Sequence, residues 1–169
     1  MIIALGVGLG YLFSTVPNFE LITSTVFIGG TLLGPKRGLL IGTVTEGLYS
    51  FLNPYGVAPP PIFIAQITAM GIAGLSGGFL SHKIYPDSAK KIIILGLLGL
   101  AFSFNFALLT TFAYAWSIGG SGNAIIISLI RGIHYYILHL VSNTLLFMIL
   151  VPAVIKITLK FHLTPGAHA

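Results

Sequence analysis

Charged side chains interrupt this chain so rarely that its apolar stretches dictate how it can fold. Of its 169 residues, 7% are charged and 56% are hydrophobic, with a mean hydropathy of +1.01. A water-soluble fold of this length cannot bury so much apolar surface, because surface grows too fast relative to volume. The stretches are also too numerous for a single buried helix. In lipid only helices or closed barrels satisfy the backbone. The alternating polarity of barrel strands is absent. The sequence therefore predicts an all-α integral membrane protein with no soluble domain.

Cutting the chain at its charges and its Pro/Gly punctuation leaves six segments. They are Ile2–Val16, Asn18–Gly34, Gly38–Asn53, Pro61–Leu80, Lys90–Ser117 and a last one that ends near Lys160. A hydrocarbon core about 30 Å thick needs about 20 residues of helix, so the first three are short for spans. Taken from Asn123, the last would run ~55 Å, too long for one crossing. A short interfacial or re-entrant helix is therefore expected over Ala124–Ile130, with the membrane helix starting near Arg131. Residues 1–160 then form one six-helix bundle, and 161–169 a cytoplasmic tail.

The charges orient this bundle. Lys36 and Arg37 separate segments two and three; His82, Lys83, Asp87, Lys90 and Lys91 surround the next turn but one; Lys156 and Lys160 close segment six. The connections near Ser14–Asn18, Pro54–Pro61 and Ser117–Asn123 carry no charge. Seven of the eight Lys and Arg residues thus share one side. The positive-inside rule makes that side cytoplasmic, with both termini on it. A prokaryotic cytoplasmic membrane is the expected location.

The net charge of +5 is no nucleic-acid footprint, since the basic residues are thinly spread over loops. Cysteine is absent, which excludes disulfides and thiolate metal sites. Met1 runs into apolar sequence without a basic leader or an A-x-A-like site, so no cleaved signal peptide is expected. Small residues mark the packing faces. Ala4/Gly8 and Gly6/Gly10 do so on helix one, and Ala69, Ala73 and Gly77 on helix four. Helix four reads as internal packing. For helix one an intersubunit face and an internal one both remain open.

Polar residues inside the spans are few, and each is informative. Glu20 opens helix two, where it suits a helix N-terminus or the headgroup layer. Asn53 leads into a stiff uncharged loop that contains Tyr55. Tyr114 and Trp116 fit an interface belt. Arg131, His134 and Tyr135 share one face of helix six, with His139 and Asn143 in a second row. Arg131 also suits snorkelling to the outer surface. His139 and Asn143 suit interhelical hydrogen bonds as well as a ligand. Glu46, mid-membrane on a face with Tyr49 and Asn53, must be paired, protonated or functional. Its bland alternative is a structural pair with Arg131 or a histidine. Glu46, Asn53, Tyr55, Arg131, His134, Tyr135 and Asn143 are the substrate-binding candidates for an outward cavity.

Enzymatic patterns fail. Gly74-Leu75-Ser76-Gly77 resembles the Gly-x-Ser-Gly of rhomboid intramembrane proteases. A dyad needs hydrogen-bond reach, yet Ser76 lies ~22 Å from the outer end and His139 ~12 Å. There is no H-E-x-x-H, phosphate loop or acidic metal cluster, so neither catalysis nor a cofactor or metal is expected. Without a nucleotide site, the chain itself cannot power transport by hydrolysis.

Several sequence elements together resemble the substrate-binding S component of an energy-coupling-factor (ECF) vitamin transporter. They are Ala4/Gly8 with Gly6/Gly10, Pro17-Asn18-Phe19-Glu20-Leu21, Leu33-Gly34-Pro35-Lys36-Arg37-Gly38, Asn53-Pro54-Tyr55-Gly56 and His139-Leu140-Val141-Ser142-Asn143. The resemblance covers nearly the whole chain. It implies capture of a micronutrient from outside under loops one, three and five. It further implies docking on a membrane coupling subunit driven by two ATPase subunits, with Ala4, Gly6, Gly8 and Gly10 at the docking face. Nickel and cobalt members carry a histidine after the initiator Met; Ile2-Ile3 here implies an organic substrate. A self-sufficient proton-coupled carrier using Glu46 is the alternative, although the internal repeats common in such carriers are not evident.

Overall fold

The computed structural model describes residues 1–16 and 19–162, with side chains through 158. It is a bundle of six helices without a strand among those residues: α1 (Ile2–Leu12), α2 (Ile22–Leu33), α3 (Pro35–Phe51), α4 (Pro60–Leu80), α5 (Ala89–Ser117) and α6 (Gly122–His162). Every expected segment appears as a helix. The breaks fall where the backbone demands them. Gly34 adopts φ +91°, a left-handed conformation that L side chains rarely take, and Pro35 then begins α3 at its first turn. Pro60 and Pro61 begin α4 in the same way. Gly119 and Gly120, at φ +117° and +66°, turn the chain between α5 and α6.

Three helices, α4, α5 and α6, are long and apolar enough to cross a membrane. They expose large apolar side chains such as Ile64, Phe79, Leu97, Phe104 and Ile149. Such surface belongs against lipid rather than water. α1, α2 and α3 have 11, 12 and 17 residues. At 1.5 Å per residue all three fall short of a hydrocarbon core about 30 Å thick.

The expectation of a separate interfacial helix over Ala124–Ile130 is not met, because α6 runs unbroken through 41 residues. The reason is local. Ser121 Oγ accepts the Ala124 N–H at 3.2 Å and starts the helix there, as a serine N-cap does. After Gly122 at the helix start neither proline nor glycine occurs before Gly132, and Pro152 is the proline within α6. At ~61 Å, the helix is longer than any bilayer core.

α2 is the axis of the bundle and touches all five other helices. Its residues Ile22 to Gly30 are all buried, as expected of a helix surrounded by protein. Glycines bring its neighbours in. A Cβ on Gly30 or Gly38 would fall on the Gly74 backbone, one on Gly42 on Met70, and one on Gly77 on Phe27. α2, α3 and α4 therefore meet backbone to backbone, as small residues allow in lipid. On the other side Phe27, Phe102 and Phe147 form a buried three-ring cluster, with centroids 5.1–5.8 Å apart, that joins α2 to α5 and α6. Each such pair contributes about 0.5–1.5 kcal/mol beyond its area.

Helix one resolves its two overlapping motifs. Gly6 and Gly10 are buried: a Cβ on Gly6 would lie 2.7 Å from Thr45 Cγ2, and one on Gly10 2.7 Å from Ile22 Cδ1 and 2.9 Å from the Tyr49 ring. Both are internal packing residues, which corrects their assignment to a docking face. Ala4 and Gly8 point outward, and a Cβ on Gly8 would meet nothing within 4 Å.

Candidate functional site

The polar side chains of the bundle collect where the α1–α2 connection, the end of α3 and the start of α4 come together. Glu20 lies in that connection, two residues before α2. Its Oε2 accepts the Thr23 backbone N–H at 2.9 Å, which satisfies one of the unpaired donors at the start of the helix. Its Oε1 accepts the Thr23 hydroxyl and, at 3.1 Å, the Asn143 side-chain amide from α6. His139 Nε2 lies 3.5 Å from the same oxygen. The imidazole is held from behind, edge-on to Phe106 with centroids 5.5 Å apart. Asn143 is fully buried and His139 is 6% exposed. Glu20, treated above as a headgroup or N-terminal residue, is thus the knot between α2 and α6.

Beside this knot lies a cavity of about 260 Å³. Glu20, Phe13, Ser14 and Phe19 wall it from the α1–α2 connection; Glu46, Tyr49 and Asn53 wall it from α3. Gln66 of α4, Phe106 of α5 and His139 of α6 close the remaining sides. Ser50 donates to Gln66 Oε1 at 2.7 Å, which leaves the amide N–H groups for another partner. Asn53 Oδ1 accepts the Tyr55 N–H at 2.9 Å, and its carbonyl accepts the Gly56 N–H at 3.0 Å, so Asn53 also shapes the tight turn of the α3–α4 loop.

Glu46 stands apart from its neighbours. It is 2% exposed and borders the cavity, yet among the described residues no hydrogen bond or ion pair reaches its carboxyl group. The structural pair with Arg131 or a histidine is not formed; His139 is with Glu20 instead. A buried carboxyl without a partner is costly, and such groups concentrate where a ligand or proton completes them.

The other sequence candidates are elsewhere. Arg131 and Tyr135 border a separate, open depression of about 460 Å³ with Tyr114, Ser128 and Tyr136. Tyr136 bonds Thr111 at 2.6 Å and covers Gly132. His134 is exposed and its ring lies 3.9 Å from that of Tyr135. Tyr55 is 73% exposed on its loop. The structure therefore brings together Glu46 and Asn53, with Asn143 behind the wall. It leaves Arg131, His134, Tyr135 and Tyr55 outside the cavity. The α6 row that reaches inward is His139 and Asn143. Gln66, Ser14 and Phe106 escaped the sequence reading, being single residues with no pattern around them. A further depression, about 560 Å³ along α6 from Leu138 to Ala153, is apolar and faces outward.

Ser76 belongs to none of this. Its flanking glycines, Gly74 and Gly77, are taken up by backbone contact with α3 and α2, while His139 is held at Glu20 and Phe106. Among the described residues, no three His, Cys, Asp or Glu side chains group as metal ligands. Comparison of the chain with protein-family models, with curated proteins and with solved structures gives no significant match.

Proposed function

We propose that this chain is the substrate-binding S component of an ECF-type importer for an organic micronutrient. The observation that carries this reading is the cavity itself. It is a small, half-polar chamber inside a helical membrane protein, holding one unpartnered buried carboxyl, and it is walled by residues from the loop ends of several helices. Small-molecule sites have that character: concave, apolar in bulk, with a few convergent polar groups. At about 260 Å³ it lies just below the usual range of about 300–1,000 Å³.

In this reading six segments cross a prokaryotic cytoplasmic membrane and both termini lie inside. The basic connections α2–α3 and α4–α5 face the cytoplasm, and the cavity end faces outward. The short first three helices reach across with the help of their connecting segments. The loops α1–α2, α3–α4 and α5–α6 then lie over the entrance, the first contributing Phe13, Ser14, Phe19 and Glu20 to the wall. The outward stripe of Ala4 and Gly8 is the surface on which a membrane coupling subunit docks, with two ATPase subunits supplying energy.

Uptake into membrane vesicles tests this. The ligand that co-purifies with the chain, identified by mass spectrometry, should accumulate only when coupling and ATPase subunits are present with ATP. The unpartnered Glu46 also favours a second reading, a proton-coupled carrier. Accumulation driven by a proton gradient with the chain alone would select that reading instead.

A further inference from the structure

Glu20 and Glu46, two of the protein's three acidic residues, are the permanent charges that border the cavity, and none of the lining residues is Lys or Arg. Glu20 is already provided for by Thr23, Asn143 and His139. Glu46 is not, although it is 98% buried and beside open space. Four aromatic side chains, Phe13, Phe19, Tyr49 and Phe106, also line it, beside the aliphatic Val16 and Ile22. Phe13 and Phe19 meet edge to face at 5.1 Å, and Tyr49 is braced by Tyr11 at 5.4 Å.

We propose that the cavity takes a small, flat organic cation that carries N–H donors, such as an amidinium or a protonated amino-heterocycle, with Glu46 as its counter-ion. This rests on the solute-binding reading of the same cavity and names its substrate class. The chemistry follows from the walls. A cationic N–H supplies Glu46 with the donor that the protein withholds, in a charge-assisted bond that is among the stronger kinds. Aromatic faces within about 6 Å attract the same cation through their quadrupoles. A carboxylate or phosphate ligand would meet Glu46 with no Lys or Arg in the lining to offset the repulsion, His139 being held at Glu20. A flat ring can pack on the four aromatic side chains that border the chamber. Gln66 Nε2 and Asn53 Nδ2 remain to donate at the ligand's periphery.

The test uses the full-length purified protein in lipid-supplemented detergent, with three isosteric probes: benzamidine as the cation, benzamide as the neutral form and benzoate as the anion. Binding is read by the shift in thermal unfolding and by calorimetric titration. Benzamidine should bind saturably, benzamide about ten- to a hundredfold more weakly, and benzoate not at all. Glu46→Gln should lose the same factor for benzamidine only. Asp87→Asn, which removes an exposed carboxylate far from the cavity lining, should bind as the wild type does. If Glu46→Gln fails to fold, the probe series on the wild type still decides. Equal binding of benzamide or benzoate, no probe binding, or an unaffected Glu46→Gln would each overturn the proposal. So would sodium chloride alone protecting the wild type but not Glu46→Gln while displacing benzamidine, since that marks an inorganic cation site. ATP-dependent uptake separates this from the transport reading. Uptake of an uncharged solute with the coupling subunits present would sink the cation and keep the importer. Benzamidine binding to Glu46 together with ligand uptake that needs neither those subunits nor ATP would do the reverse.

Discussion

Asn143 donates its side-chain amide to Glu20 across 3.1 Å and so ties the start of α2 to the middle of α6. The two residues are 123 positions apart in the chain. α2 and α6 also meet at the Phe27–Phe147 ring contact, and His139 lies 3.5 Å from the same Glu20 oxygen. The Asn143–Glu20 bond should therefore help to hold α6 against the axis of the bundle. Interhelical hydrogen bonds in membranes average about 0.6 kcal/mol and reach about 1.7 kcal/mol. A fully buried amide on a carboxylate belongs at the upper end. Asn143→Leu should lower the unfolding free energy by about 1.5 kcal/mol in a mixed-micelle titration. Glu20→Gln combined with Asn143→Leu should cost less than the sum of the two single changes. Strict additivity would mean that the bond carries no coupling.

The glycine contacts make a sharper comparison. Gly30→Ala drives a methyl group onto the Gly74 carbonyl, whereas at Gly47 the nearest atoms would be side-chain carbons at 3.8 and 3.9 Å. Overpacking typically costs about 1–3 kcal/mol, and here backbone must move. Replacing glycine by alanine in an open helical position gains up to about 1 kcal/mol. Gly30→Ala should thus lower the melting temperature and Gly47→Ala should hold or raise it. Matched melting temperatures for the two variants would show that α2 and α4 do not meet this closely.

Helix one offers a separation of binding from transport. Gly8→Leu adds bulk to an outward face and should leave ligand binding by the isolated protein intact while blocking ATP-dependent uptake. Gly10→Leu presses on Ile22 and on Tyr49, a cavity wall, and should weaken binding itself. Uptake at wild-type rates by Gly8→Leu would remove the docking face from α1.

The absence of native cysteine makes topology directly measurable. Ser88→Cys, at the start of α5, and Val57→Cys, in the α3–α4 loop, are both at exposed positions. In intact cells a membrane-impermeant maleimide should label Val57→Cys alone, and Ser88→Cys only after lysis. Near Ser88 the local charge is set by the Asp87–Lys91 pair at 2.8 Å, whose hydrogen bond holds the Asp87 carboxyl below its usual range. Labelling of both sites from outside would end the six-span arrangement.

Much of the fold was legible because the constraints act locally. Pro35, Pro60 and Gly34 punctuate the chain through backbone sterics that need no tertiary partner, and the helix boundaries follow them closely. The α6 start departs from the expected one for a reason of the same kind. The Ser121 cap and the lack of a breaker between Gly122 and Gly132 outweigh the length of a bilayer. In the candidate site Glu46 and Asn53 share one helix face, and 3.6-residue periodicity was enough to group them. Periodicity also puts Arg131, His134 and Tyr135 on one face of α6, where Arg131 and Tyr135 border the separate depression. It could not tell that this face turns away from Glu46.

Sequence by itself determined a helical membrane protein of six segments, since in lipid every backbone group must be satisfied within its own helix or barrel. It also singled out Glu46, because a carboxyl so deep in apolar sequence has few ordinary explanations. Only the tertiary structure decided which polar groups meet. Glu20 reaches His139 and Asn143 through the non-helical connection before α2, whose path no periodicity describes. The same packing decided that Gly6 and Gly10 face inward while Gly8 faces out. Residues two apart on a helix point about 200° apart; which of the two directions holds protein depends on where α2 and α3 lie.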